Sequence, residues 1–490
     1  MVNIILFKEL RAILQSPKFV ATFAVYCVLI LLSTFIGIRE YKSAVSQYEM
    51  AKSLNIEEAS GKRTWNQVVN RVYREPDPMQ IFVSGVHFDV GRFAAVTATT
   101  RPSLTSSHYS EEPIYAVFRF VDFAFIVLVV LSLMAIVFTY DAISGEREQG
   151  TLKLIFSNGV SKSSYLLAKA IGTLLALVVP LLIPILLSLL MVQLSGVVLT
   201  GEHWMRLAIL FGASLLYFVS FICVGLFVSS VTRHANVSFL VLLMVWIVSV
   251  LVVPRLSILV ANQIVPVPTV AEIESIRDGY SKEQWSAESQ SLQARWSNRM
   301  AELNQYPDEQ REQERQAREW RWMEQDDSSR TAVNNRIEEY TRTLYQDVNN
   351  RRMRQARTAM MMSRFSPASS YQLAAMASSG TDPDMKQRYE SEMDSYRERY
   401  SAFLDEQRRQ TGQSSAERVT FSMGGGAGFN VSQSMNQAEL DVASIPVFTY
   451  EDFGTREVVN RVFPDFLVMM FVSAMTFLGA FYAFVRYDVR

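Results

Sequence analysis

Six long apolar segments constrain the fold of this 490-residue chain more than any other feature. Each is nearly uncharged and, at roughly 20 residues or more, long enough to cross a hydrocarbon core as a helix. Backbone groups inside a bilayer must bond within their own segment, which favours helices. We therefore predict an all-α integral membrane protein with six transmembrane helices. The predicted spans are residues 19–38, 117–140, 171–194, 207–231, 237–260 and 466–485.

The polar segments differ greatly in length. Residues 1–18 mix apolar and charged side chains and predict an amphipathic helix at the membrane interface. Residues 39–116 form a first long polar segment, and residues 263–463 form a second, rich in Glu, Arg, Gln and Ser. Because apolar residues recur every three or four positions along 385–403, we predict a large, mostly helical external domain in the second segment. Residues 486–490 form a short tail.

Positive charge is concentrated on one side of the predicted spans. An even number of spans places both termini on the same side, and Lys and Arg flank membrane helices mainly in the cytoplasm. We therefore predict a multi-pass protein of a bacterial inner membrane, with cytoplasmic termini and a periplasmic or extracellular large domain. The positive residues on the side of the termini are Lys8, Arg11, Lys18, Arg147, Lys153, Lys162, Lys169, Arg233, Arg486 and Arg490.

Composition and motifs argue against several classes of function. The formal net charge of −1 gives no general attraction to nucleic acid. Cys27 and Cys223 both lie in apolar spans, so a disulfide framework for the external part is excluded. The four histidines lack metal-ligand spacing, and the sequence has no Walker A loop and no hydrolase motif. We predict no catalytic residue, no metal site and no cofactor in this chain.

The loop between spans two and three, residues 141–170, is polar and punctuated by glycine. Its charged first half, SGEREQ, precedes a short amphipathic run, TLKLIF, and then the break SNG. This pattern predicts a short helix lying on the membrane surface. We call residues 141–170 the coupling loop.

The run SGEREQGTLKLIFSNGVSKSSYLLAKAIG resembles the first cytoplasmic loop of ABC-2 type exporter permeases. In that family a pattern close to SGE+E+GTL..LLS.PVS+...L.GK recurs between the second and third spans. This chain has Gly159 where the family usually has proline, and Ala168 where it usually has glycine.

The resemblance implies that the coupling loop docks on an ABC ATPase subunit. Glu146 and Glu148 would meet basic residues of that subunit, and Leu152, Leu154 and Phe156 would fill an apolar groove. Arg147 would also be one of the coupling residues. The chain would then not be an enzyme by itself, since ATP and Mg²⁺ would be bound by the ATPase. The complex would contain two ATPase copies and a second copy of this permease or a similar one, surrounded by membrane lipid.

Two further stretches resemble a permease subfamily with a large insertion between spans five and six. Residues 366–374 read SPASSYQLA and are followed by SGTD at 379–382, while IPVF occupies 445–448. These matches support the external assignment of residues 263–463.

Several residues within the spans are unusual for a membrane helix. Pro180 and Pro184 each remove a helical hydrogen bond and predict a kink in span three. Arg119 and Asp122 lie three residues apart, as either an ion pair at the outer interface or a substrate contact. Arg255 lies near the outer end of span five, at the interface or facing a protein or water-filled cleft.

The leading expectation is a permease subunit of an ABC exporter that moves an unidentified, amphiphilic substrate. The alternative is a non-transporting mechanotransmission or scaffold protein, which relays ATPase motion to an envelope partner through its external helices. A transporter should have a continuous cavity lined by spans two and five, whereas a relay should have that interface tightly packed.

Overall fold

A computed structural model of the chain describes residues 2–62, 68–91, 93–96, 121–157, 159–411, 444–450 and 452–486. Within these residues, six helices are long and apolar enough to cross a membrane. The structure confirms the predicted all-α membrane fold: these residues are mostly helical, and the chain begins with a short helix before the first candidate span. Arg119 lies outside the described residues.

The helices are numbered in chain order over the part of the chain that the structure describes. The six candidate spans are α2, α3, α6, α7, the α8–α9 pair and α14. The bounds are α1 (Val2–Leu14), α2 (Pro17–Ser60), α3 (123–139), α4 (Ser144–Glu148), α5 (Thr151–Ser157), α6 (Lys162–Leu194), α7 (Gly201–Val231), α8 (Ala235–Ile247), α9 (Val253–Ile264), α10 (Val270–Leu303), α11 (Asp308–Ser363), α12 (Pro367–Ser378), α13 (Pro383–Thr411) and α14 (Thr455–Arg486).

Helix α2 begins where the sequence provides a strong start signal. Ser16 accepts a hydrogen bond from the Phe19 amide at 3.1 Å, and Pro17 occupies the first turn. The helix continues to Ser60, well beyond the predicted span, so the first part of segment 39–116 is a helical extension of span one.

Two spans contain a stretch of π-helix. In α3 this stretch is Ile126–Leu131, and the Leu128 carbonyl accepts bonds from the Tyr217 and Ser132 hydroxyls at 2.9 and 2.6 Å. Between α8 and α9 it is Val248–Val252, just before Pro254. Pro254 has no N–H to donate to the preceding turn, so one regular helical bond is missing next to this π-helical stretch.

Helices α3 and α7 are the most buried of the candidate spans. They approach so closely that a Cβ atom on Gly225 would overlap Thr139. Helix α7 also packs along α14, where the Ser220 and Ser473 hydroxyls lie 2.8 Å apart. These contacts make α7 the centre of the bundle.

The SPASS and SGTD stretches pack against the spans. Helix α12 lies against α7, where Tyr371 stacks on Tyr217 with ring centroids 4.8 Å apart. The Ser366 hydroxyl donates to the Ser249 carbonyl at 2.7 Å. In the following turn, the Thr381 carbonyl accepts from the Val86 amide at 2.8 Å. These residues fall in the compact unit formed by residues 1–252 and 364–490. The external domain over 263–463 stays a prediction.

A small mixed layer covers α13. Strand β1 (Asn70–Tyr73) pairs antiparallel with strand β2 (Phe93–Val96). The sequence analysis did not predict this strand pair. The apolar residues that recur along residues 385–403 of α13 are buried against this strand pair and the side chains around it. The fully buried members of this set are Tyr389, Met393, Tyr396 and Tyr400.

Residues Val253–Ser363 form a second compact unit. Its helices α10 and α11 pair as a hairpin, and Tyr280 stacks on Tyr340 with centroids 3.9 Å apart. The interior of the hairpin carries charge. Arg299 donates to Asp326 at 2.7 Å, and its guanidinium carbon lies 5.6 and 5.4 Å from the ring centroids of Trp296 and Trp322.

These ion pairs predict that the hairpin loses stability in acid. Hydrogen bonding from Arg299 lowers the pKa of Asp326, and hydrogen bonding from Arg295 lowers the pKa of Glu288. Depressed carboxyl pKa values stabilise the fold above the unfolded-state values, near pH 4, and this contribution is lost as pH falls through the folded-state values. We expect faster hydrogen exchange in α10 and α11 near pH 3 than at pH 7, after correction for intrinsic rates.

Asp327 provides the matched control because it is exposed and adjacent to Asp326. Asp326→Asn should accelerate exchange in the hairpin at pH 7, whereas Asp327→Asn should not. Equal exchange in both variants would contradict a stabilising role for the buried pair.

Candidate coupling site

The coupling loop folds as two short helices joined by glycine. Helix α4 is followed by Gly150 and then by α5, and Gly150 has a φ of +73°, a left-handed conformation that favours glycine. Gly159 adopts a similar φ of +74° after α5. Ser161 then accepts a bond from the Ser164 amide at 3.2 Å and starts α6.

Glu146 ties the loop to α1 and α6. Its Oε1 atom lies 2.9 Å from Lys169 Nζ and 3.3 Å from Lys8 Nζ, and its Oε2 atom accepts from the Tyr165 hydroxyl at 2.5 Å. Lys169 also pairs with Glu9 at 3.0 Å. The Lys169 and Glu146 side chains are only 3% and 14% exposed. We call these five residues the Glu146 clasp.

Arg147 and Glu148 bind the ends of two spans. Arg147 donates to the carbonyls of Ser230 and Thr232 at 3.0 and 2.9 Å, at the C-terminal end of α7. Glu148 accepts from the Ala235 amide at 3.2 Å, at the start of α8. Each charge has the sign that the helix dipole favours at that end.

Ser229 joins the start of α4 to α7. Its hydroxyl oxygen accepts from the amides of Ile143 and Ser144, both at 3.0 Å. These two amides have no earlier helical turn to donate to, so a side chain from another span satisfies them.

The apolar side of the loop packs on α6 and α14. Leu152 is 2% exposed and belongs to a cluster with Tyr165 and Phe484. The ring of Phe156 lies 5.6 Å from that of Tyr165 and 5.7 Å from that of Phe484. Leu154 points outward and is 66% exposed.

The end of α14 is bound in the same region. Lys162 donates to the Val485 carbonyl at 2.8 Å, in the last turn of α14. The coupling loop therefore contacts α1 and the ends of four spans: α6, α7, α8 and α14.

Comparison with known proteins identifies the chain. Residues 3–404 match the model of a family described as ABC-2 family transporter protein. The chain belongs to this family. It is thus a membrane-spanning permease component, and components of this kind generally partner with an ABC ATPase subunit and are not catalytic themselves. No curated protein matches the chain.

The permease uses the predicted coupling residues in two different ways. Glu146, Arg147, Glu148, Leu152 and Phe156 make contacts within the chain, while Glu148 and Leu154 are exposed. Docking of these residues on an ATPase remains a prediction. The sequence analysis missed the contributions of Lys8, Glu9, Tyr165, Lys169 and Ser229. Lys169 could have indicated these contacts from the sequence, because a cation at the start of an apolar span needs a partner.

The other predicted residues of the permease lie apart from the coupling loop. Pro180 and Pro184 occur within α6, which stays one continuous helix. Asp122 caps the start of α3 and accepts from the Ser84 amide and hydroxyl at 2.9 and 2.7 Å. Arg255 is exposed in α9. The kink and the substrate-path roles of these residues remain predictions.

Proposed function

We propose that this chain is the permease of an ABC exporter and that the coupling loop receives the motion of a separate ATPase subunit. The carrying observation is that the loop is bonded to α1 and to the ends of four spans. Because the bonds that Ser229 and Lys169 make with this loop are buried or partly buried, a displacement of α4 and α5 would move the attached helices with it. The substrate that we propose is amphiphilic and exported across the membrane.

The exposed surface of the loop is the proposed docking surface. It presents Glu148, Gln149, Lys153 and Leu154, which combine charge with one large apolar side chain. A central apolar contact with a polar rim is the usual composition of a protein interface. The positive residues around this end of the bundle support a cytosolic orientation, where an ATPase would have access.

The proposed chemistry is divided between subunits. The ATPase subunits would bind ATP and Mg²⁺ and hydrolyse the nucleotide, and this chain would supply the moving helices. Pro180 and Pro184 would let α6 bend during that movement, since each lacks a helical N–H donor.

We propose that two copies of the permease, or this chain and a similar one, assemble with two ATPase subunits. The span windows of α2, α8–α9 and α14 are less than one-third buried, so wide apolar faces are available to lipid or to a second permease. A single six-span bundle offers little interior for a translocation path.

Two substitutions in α5 separate docking from folding. Leu154→Asp places a charge on the exposed surface and is expected to abolish co-purification with the ABC ATPase subunit without changing the thermal unfolding of the permease. Leu152→Asp buries a carboxylate in the apolar cluster and should instead destabilise the permease by about 3 kcal/mol or more. Co-purification and the unfolding midpoint in detergent measure the two effects.

Leu54→Asp is the control, because Leu54 is an exposed leucine of α2 outside the coupling loop. If the Leu154→Asp permease retains its ATPase at wild-type stoichiometry, the proposed docking surface is wrong. In that case, ATPase-coupled export would require that the ATPase dock on a different surface of the permease.

The second candidate function is a relay of ATPase motion to an envelope partner, and the long α10–α11 hairpin favours it. Helices of 34 and 56 residues exceed what a minimal transporter needs outside the membrane. A relay would retain its biological effect when substrate movement is blocked and lose it when the hairpin is removed. An exporter would show the reverse dependence on substrate movement.

A further inference from the structure

A cavity of about 730 Å³ lies beside the outer half of α2. Its wall on α2 follows one helix face, from Leu29 through Ile36 and Glu40 to Gln47 and Ala51. The opposite wall comes from residues 73–88, from Phe93 and from residues 121–122. The volume falls within the range of about 300–1,000 Å³ that is typical of small-molecule sites.

The lining changes from apolar to polar along α2. Leu29, Leu32 and Ile36 line one end and belong to the predicted first span. Leu32, Ile36 and Val121 line the cavity and are exposed. This end of the cavity would therefore meet the hydrocarbon region of a bilayer.

The polar end contains acceptors that lack donors. Glu40 makes no hydrogen bond or ion pair within the described residues, although its side chain faces the cavity. Gln80 is only 9% exposed, and its Oε1 atom is buried without a donor. The buried Gln80 oxygen and the half-buried Glu40 carboxylate favour a ligand that brings N–H groups.

Two other charged groups at this end make hydrogen bonds within the chain. Arg74 donates to the His87 carbonyl at 2.8 Å, and Asp122 accepts from Ser84 at 2.7 Å. Glu40 therefore supplies the acidic group that is left to interact with a ligand.

We propose that this cavity binds an amphiphile whose head group carries a protonated amine, with Glu40 as counter-ion and Gln80 as a second acceptor. The alkyl chain lies along Leu29, Leu32 and Ile36 and leaves the cavity toward the bilayer. The proposal concerns binding to this chain alone, so it does not depend on ATPase coupling or on export.

The test uses the full chain in phosphatidylcholine nanodiscs and three photoreactive probes with one dodecyl chain. The probes carry an ammonium, a hydroxyl or a carboxylate head and a diazirine at the chain end. We expect the ammonium probe to label residues 29–36, with at least about tenfold weaker apparent binding for the other two heads.

Glu40→Gln should weaken labelling by the ammonium probe by about tenfold and leave labelling by the hydroxyl probe unchanged. Glu49→Gln is the matched control, since Glu49 is an exposed glutamate on the same helix outside the cavity lining. Equal labelling by all three probes, or no adduct within residues 29–36, would overturn the proposal. The comparison of head groups on the wild-type chain remains decisive if Glu40→Gln does not fold.

Discussion

Replacing Lys169 by methionine is expected to lower the stability of the permease by about 3–5 kcal/mol. The ammonium group of Lys169 lies 2.9 Å from Glu146 and 3.0 Å from Glu9. Its removal takes the ion-pair partner from Glu9 and leaves Glu146 with the exposed Lys8. An unpaired carboxylate with little access to water is costly. The thermal unfolding midpoint of the detergent-solubilised chain measures the loss.

Lys153→Met removes the same charge from an exposed position of α5 and should leave the midpoint nearly unchanged. Adding Glu9→Gln to Lys169→Met should recover part of the loss, because one unpaired charge is removed. An unchanged midpoint for Lys169→Met would mean that the Glu146 clasp contributes little to the fold.

Gly225→Ala is expected to destabilise the permease by about 1–3 kcal/mol or more through overpacking. The added methyl group would overlap the Thr139 side chain, and it would therefore push α7 away from α3. Both helices are mostly buried, so little room exists for the displaced atoms. The same unfolding measurement detects the change.

Gly201→Ala is the control, because no atom lies within 4 Å of the added methyl group. It should keep or slightly raise the midpoint, since alanine favours helix more than glycine does. Thr139→Ala should partly rescue Gly225→Ala by removing the nearest oxygen atom. Equal midpoints for Gly225→Ala and Gly201→Ala would argue against the close packing of α3 and α7.

Much of the fold follows from patterns that are local in sequence. Apolar runs of sufficient length predict the spans, and the three-to-four spacing along 385–403 predicts the buried face of α13. Other features depend on which distant segments meet. Gly225 acquires its importance only from Thr139 in another span. The strand pair β1–β2 likewise joins short segments whose own sequences carry little strand signal.

The sequence predicted which residues form the candidate coupling site, but it did not predict the contacts that these residues make within the chain. Motif and charge marked residues 146–156 as a surface helix, and an acidic residue there suggested contact with another protein. In the structure Glu146 contacts Lys169 and Lys8, which lie 23 and 138 residues away. Its contact with an ATPase stays a prediction. A single sequence does not reveal which partner a charge has, because the fold decides whether that partner lies in the same chain.

The Glu146 clasp leads to the most direct test of the central claim, that ATPase motion passes through the coupling loop into the spans. Glu146→Gln weakens the link between α4 and Lys169 but leaves Glu148 and Leu154 exposed. The measurement is permease-dependent stimulation of ATP hydrolysis in nanodiscs, with Glu202→Gln at the start of α7 as control. We predict that Glu146→Gln retains its ATPase but loses most of the stimulation. Full stimulation by a stably assembled Glu146→Gln complex would contradict the account.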